Sequence, residues 1–152
     1  MKSNIIGQAS ITVQAPASNV WAALTQPELI SQYFFGTNTH TDWKVGSSIR
    51  FTGEWNGKKY EDKGNVLNIE TNKFIKYNYW SSMSGIDDKP ENYVEITYDL
   101  NELNGKTILT VVQENIPDEK MKAHSEENWQ KVLQGLKELV EKKTAPKVST
   151  VL

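Results

Sequence analysis

The sequence predicts an α+β domain: one curved antiparallel sheet, two short helices near its start, and a long C-terminal helix laid across it. Three observations carry that expectation. Residues from Ser47 to Glu114 follow the period of strands. Two Asn-Gly pairs, Asn56-Gly57 and Asn104-Gly105, sit between alternating segments, and Asn-Gly suits the two-residue hairpin turn whose residues both take positive φ. In "HSEENWQKVLQGLKELVEKK", His124 to Lys143, the residues Trp129, Val132, Leu133, Leu136 and Val140 fall on one helical stripe.

In chain order, the first strand is expected over Ile5 to Ala15, where Ala9, Ile11, Val13 and Ala15 alternate with Gln8, Ser10, Thr12 and Gln14. Pro16 and Ser18 open a short helix through Val20, Trp21 and Leu24. Thr25, Pro27 and Glu28 start a second that ends near Tyr33. The run from Gly36 to Asp42 is polar and reads as a connection.

The Asn56-Gly57 turn sets Trp55 opposite Lys58, Gly53 opposite Tyr60, Phe51 opposite Asp62 and Ile49 opposite Gly64. A tyrosine ring across from a bare glycine backbone is a reasonable fit. A strand follows from Phe74 to Ser81, then the polar loop "SSMSGIDDKPEN". The Asn104-Gly105 turn pairs Leu100 with Leu109, Tyr98 with Val111 and Ile96 with Gln113 on an apolar face, and Asp99 with Thr110 on the other. "NIPDE" leads into the last helix, and Pro146 stops it from simply continuing. One domain over residues 1–143 and a tail over 144–152 are expected. A sheet with one apolar face needs a cover, and only the last helix is long enough.

Composition excludes several function classes. A net charge of −2 over 152 residues leaves no basic footprint for nucleic acid. With no cysteine, disulfides, thiolate metal sites and cysteine nucleophiles are absent. No metal site or cofactor is expected: there is no paired histidine, spaced carboxylate cluster or glycine-rich phosphate loop. The start "MKSNIIGQASITV" lacks the unbroken apolar stretch of a signal peptide, and no segment is long enough to insert in a bilayer, so a cytoplasmic protein is the expectation.

"APASNVWAALTQPELISQYF" resembles the opening signature of the START/Bet v 1-like (SRPBCC) superfamily, and within it the branch named for the activator of the ATPase of the 90-kDa heat-shock protein. Ala15-Pro16, Val20-Trp21, Ala23-Leu24-Thr25, Pro27-Glu28 and Tyr33-Phe34 fill that pattern, with Tyr33 where tryptophan is common. Val45-Gly46, Phe51, Gly64-Asn65-Val66-Leu67, Tyr79-Trp80, Thr107 to Thr110 and Trp129-x-x-x-Leu133 follow the family's order, so the resemblance spans roughly residues 5 to 142. It implies a helix-grip fold, in which the last helix crosses the curved sheet and often leaves an apolar cavity beneath it. One departure falls beside that cavity: the family usually has Gly-Trp in the last helix, and this chain has Asn128-Trp129.

The ligand-lining set expected on that basis is Phe51, Trp55, Tyr60, Tyr98, Gln113, Met121, Asn128 and Trp129. Tyr79 and Trp80 are adjacent in a strand and cannot both point inward. Gln113 stands on the inner face beside Ile96, either to orient a ligand or to bond a loop backbone. Asp62 is turned inward by its register, where a carboxylate would be partly desolvated and its pKa raised. The favoured expectation is the plainer one, a bulge at Gly64 or a place on the wet rim of the sheet. His40 reads as solvated. His124 lies at the margin of the stripe, and acid–base work there would need a partner within hydrogen-bond reach that the sequence does not identify. Gly135, inside the last helix, reads as a place of close packing.

Three functions follow as expectations. The first is a non-enzymatic binder of a small apolar or lipid-like molecule. The second is a cyclase- or hydrolase-type enzyme using Asp62 or His124. The third is a chaperone partner, as the branch name implies. In the eukaryotic co-chaperone this domain follows another large one, whereas here the first strand is expected within a few residues of Met1.

Overall fold

The structure, a computed structural model, describes residues 3–34, 36–55, 57–82 and 85–144, with the backbone alone for Trp55, Lys143 and Thr144. The expected tail beyond Thr144 therefore lies outside the described residues. Strand β1 (Ile5–Val13) is followed by helices α1 (Ala17–Thr25) and α2 (Pro27–Tyr33). Strands β2 (Asn38–His40), β3 (Ser48–Trp55), β4 (Lys58–Glu70), β5 (Phe74–Trp80), β6 (Val94–Leu103) and β7 (Lys106–Ile116) come next, and helix α3 (Glu119–Thr144) closes the fold. The strands form one antiparallel sheet in the order β1-β7-β6-β5-β4-β3-β2. This is the helix-grip arrangement.

Both hairpins take the registers that the Asn-Gly turns dictate. Phe51 pairs with Asp62 and Gly53 with Tyr60 in the first, and Ile96 with Gln113 and Leu100 with Leu109 in the second. Asn104 and Gly105 both have positive φ, at 55° and 78°, as the two-residue turn requires. Gly57 has φ 77°, and Asn56 lies outside the described residues.

Strand β4 is irregular at one place. The bulge falls between Val66 and Asn68 in the pairing with β5, not at Gly64. Gly64 is in register opposite Tyr79, and a Cβ there would come within 1.8 Å of the Asn78 carbonyl oxygen, so no larger residue fits. The strand therefore carries Asp62 inward without a slip.

Three elements differ from the sequence pattern. The polar run after Gly36 contains β2, which pairs Thr39 with Phe51 and His40 with Arg50. Its Asn-Thr-His sequence has no apolar alternation, yet Thr39 is buried. His40 is exposed, as expected, but on a strand, with its Nε2 3.2 Å from Thr52 Oγ1. A 3-10 turn, Pro90–Asn92, interrupts the loop before β6. Helix α3 starts earlier than His124 because the Asp118 carboxylate accepts from the Met121 backbone N–H at 2.8 Å and caps it.

Local chemistry explains how the helices sit. Pro16 gives α1 no side-chain cap, and Glu102 of β6 supplies one by accepting from the Ala17 backbone N–H at 2.7 Å. Gly135 lets α3 approach α2: a Cβ there would lie 3.2 Å from that of Tyr33. Tyr33 in turn donates its hydroxyl to the Ala23 carbonyl at 2.8 Å, tying α2 to α1. The core lies between α3 and the sheet, and the whole stripe Trp129, Val132, Leu133, Leu136 and Val140 is buried. Each such aliphatic side chain contributes about 1.5–3 kcal/mol.

Candidate functional site

Strand alternation builds the site first. In β5, Ile75, Tyr77 and Tyr79 share the inner face, with Phe51 of β3, Tyr60 and Asp62 of β4, and Ile96 and Tyr98 of β6 on the same side. Toward one end of the sheet these residues are rings rather than branched aliphatics. Phe51 meets Tyr77 at 6.0 Å between centroids and Tyr79 edge-on at 6.4 Å. Tyr98 meets Tyr77 at 5.6 Å and Trp129 at 5.9 Å, and Phe34 stands edge-on to Trp129 at 6.0 Å. Such edge contacts are favourable in their own right.

Hydrogen bonds pin the rings in place. Trp129 donates its indole N–H to Gln113 Oε1 at 2.8 Å. The Tyr77 and Tyr98 hydroxyls share a buried bond of 2.8 Å, and the Tyr60 hydroxyl lies 2.7 Å from Thr37 Oγ1. Tyr60 also lies across Gly53 so closely that a Cβ there would meet its hydroxyl at 2.5 Å.

The rings leave a cavity of about 380 Å³ between the sheet and the N-terminal half of α3. Its walls are mainly Phe34, Phe51, Tyr60, Tyr77, Tyr79, Ile96 and Trp129, with the polar residues Thr37, Glu54, Asp62, Ser81 and Asn128 completing the lining. A second pocket of about 560 Å³ lies beside it, toward Gln113, Met121 and His124. Tyr79, Ser81, Asn128 and Trp129 border both.

Burial sets the electrostatics. It raises the Asp62 carboxyl above its ordinary range, while bonds from the Ser81 hydroxyl and the Ser82 backbone N–H, the latter 3.2 Å, pull partly back. Burial pushes Tyr79 up to about 12, with the Asp62 charge adding to the rise. Tyr77 and Tyr98 are also raised by burial, so these phenols stay neutral at physiological pH.

The chain matches, over residues 14–141, the family described as activator of Hsp90 ATPase homolog 1-like protein. It belongs to that family. A Cytophaga hutchinsonii protein of known solution structure is 40% identical, with a TM-score of 0.82 over 96% of this chain and 100% of that one. The Aha1 dimer from Colwellia psychrerythraea is similar in fold at 20% identity, with a TM-score of 0.71 over 90% of this chain and 96% of that one. A Mesorhizobium loti protein gives 21% identity and a TM-score of 0.74 over 91% and 98%. No curated protein matches the chain.

Within this member of the Hsp90 ATPase activator homolog-like family, the structure sorts the sequence-derived candidates. Phe51, Tyr60, Asp62, Asn128 and Trp129 line the first cavity. Gln113, Met121 and His124 border the second, and Gln113 bonds the Trp129 indole rather than a loop backbone. Tyr98 packs against two of the lining rings, Tyr77 and Trp129, and the Trp55 side chain lies outside the described part. Asp62 and His124 border different pockets, and among the described residues the His124 imidazole has no hydrogen-bond partner. Trp80 points the other way from Tyr79: its indole donates to the Ile86 carbonyl at 2.9 Å and its ring faces Lys63.

Asn128, where the family usually has glycine, is the clearest departure in the site. It is half-buried at the cavity wall, and among the described residues its amide has no hydrogen-bond partner. Tyr77 follows from the β5 alternation, which puts it beside Tyr79. Phe34 and Thr37 follow α2 with no periodic signal, and the sequence did not single them out for the site.

Proposed function

We propose that this protein binds a small, largely apolar molecule in the cavity between the sheet and α3. The observation that carries this reading is the aromatic-walled space of about 380 Å³ with a few convergent polar groups at its wall. That is the size and chemistry of small-molecule sites in general. Burying about 300 Å² of apolar ligand surface yields roughly 7 kcal/mol gross. Association consumes at least about 4 kcal/mol of it, so affinity depends on the polar groups.

The walls are suited to holding a space open. Collapse of Trp129 or Tyr60 into the gap would break a part-buried hydrogen bond, at about 1–3 kcal/mol each. The side-chain amide of Asn128 is available to a guest. Membership of the Hsp90 ATPase activator homolog-like family is compatible with this reading and equally with a protein partner.

Native mass spectrometry of the purified protein, with a thermal-shift screen of apolar metabolites, tests it. A retained or stabilising small molecule supports the reading. A bare mass with no shift across a broad panel rejects it and directs attention to protein partners, a chaperone among them.

A further inference from the structure

Among the described residues, Asp62 is the inner-face carboxylate at the cavity wall. Among the described residues that line the cavity there is no lysine, arginine or histidine. The cations nearest in sequence and register are engaged elsewhere. Lys63 follows Asp62, so alternation sends it to the opposite face, where it pairs with Asp88 at 2.6 Å. Arg50, across from Lys63, pairs with Glu61 on that same outer face. Glu54 also borders the cavity, but register sets it opposite Lys59 on the outer side.

An ionised carboxylate offers about four acceptor positions. The Ser81 hydroxyl and the Ser82 backbone N–H occupy two types of contact on one side. Phe51 is the cross-strand partner of Asp62, Tyr79 lies close enough to feel its charge, and Trp129 of α3 lines the same cavity. Aromatic faces attract cations through their quadrupole.

We infer that the occupant of this cavity is an organic cation: an ammonium or amidinium group seated against Asp62, on an aromatic or aliphatic body held between Phe51, Tyr79 and Trp129. This rests on the cavity-binding reading above and names its ligand class. Burial already disfavours the Asp62 charge, so a cation there relieves a penalty that a neutral guest would leave in place. An anionic guest would meet Asp62 with no compensating group.

The test is isothermal titration of the intact protein at neutral pH with three naphthalenes of one shape: naphthalen-2-ylmethylammonium, naphthalen-2-ylmethanol and naphthalene-2-carboxylate. The ammonium compound is expected to bind about tenfold tighter than the alcohol, with the carboxylate weakest. In Asp62→Asn, of nearly the same shape, that advantage should fall to within about threefold. The inference is overturned if the wild-type protein binds the alcohol as tightly as the ammonium compound, or if the preference survives in Asp62→Asn. If the variant does not fold, the wild-type ranking alone decides. Binding of the alcohol without cation preference leaves the cavity reading standing and removes this one; no binding by any of the three removes both.

Discussion

The two halves of the surface beneath α3 are built differently. Under its C-terminal half, Leu133, Leu136 and Val140 share a core with Val13, Val20 and Leu109, nearly all of them sealed from solvent. Under its N-terminal half, Asn128 and Trp129 face rings, and a cavity remains. Branched aliphatic side chains interlock until no gap is left. Rings that touch edge-to-face near 6 Å, with Trp129 and Tyr98 each tied by a hydrogen bond, prop one another apart instead. One helix can thus anchor the fold at one end and roof a site at the other.

The largest expected contrast comes from truncation. Leu136→Ala should cost about 3 kcal/mol, because a fully buried site cannot collapse around the loss. Urea unfolding read by circular dichroism measures it, and a cost under about 1 kcal/mol would mean that the tight end is looser than described.

Added bulk should separate the two ends next. Val111→Phe, in the sealed region, should destabilise by about 1–3 kcal/mol. Asn128→Leu, at the cavity wall, should be neutral or gain up to about 1 kcal/mol, since it adds apolar burial and a better helix former. It should also abolish ligand-induced thermal shifts. Equal losses in both variants would show that the cavity is not usable space.

A smaller effect tests the pins. Tyr77→Phe leaves the Tyr98 hydroxyl without its partner, for about 1–2 kcal/mol. Combined with Tyr98→Phe, the total should be clearly less than the sum, because both remove one bond. Additive losses would remove this bond from the account.

The smallest effect is electrostatic. Asp62 has a folded-state pKa above its ordinary value, so between the two values the native state holds the proton more tightly than the unfolded chain. Stability therefore falls as pH rises through that window, and the full penalty is present at neutral pH. Asp62→Asn should melt higher than wild type at pH 7, by below about 1 kcal/mol because the carboxyl is half-solvated, and the gap should close as pH drops below the ordinary carboxylate range. A gap that widens toward low pH would reverse the assigned cause.

Much of this architecture could be read from the residues. The Asn-Gly turns set both hairpin registers, and with them the inward face of Asp62, Phe51 and Tyr98. The α3 stripe named its buried residues because a helical period is long enough to recognise. β2 was not legible: three polar residues pair with β3 through backbone bonds, which leave no mark on side-chain pattern. The cavity could be expected only from family resemblance. Periodicity says which way a side chain points, not whether its neighbours fill the space in front of it. Thr37 and Phe34 reach the wall from the end of α2, where no repeating pattern exists to place them.

The most direct test of the contrast is a proton–nitrogen and methyl NMR titration with naphthalen-2-ylmethanol, a neutral probe sized for the cavity. The Trp129 indole N–H and the backbone signals of Phe51, Tyr79 and Asn128 should move together, while the Leu136, Val13 and Leu109 methyl groups stay in place. Shifts centred on those methyl groups, or none at saturating probe, would contradict it.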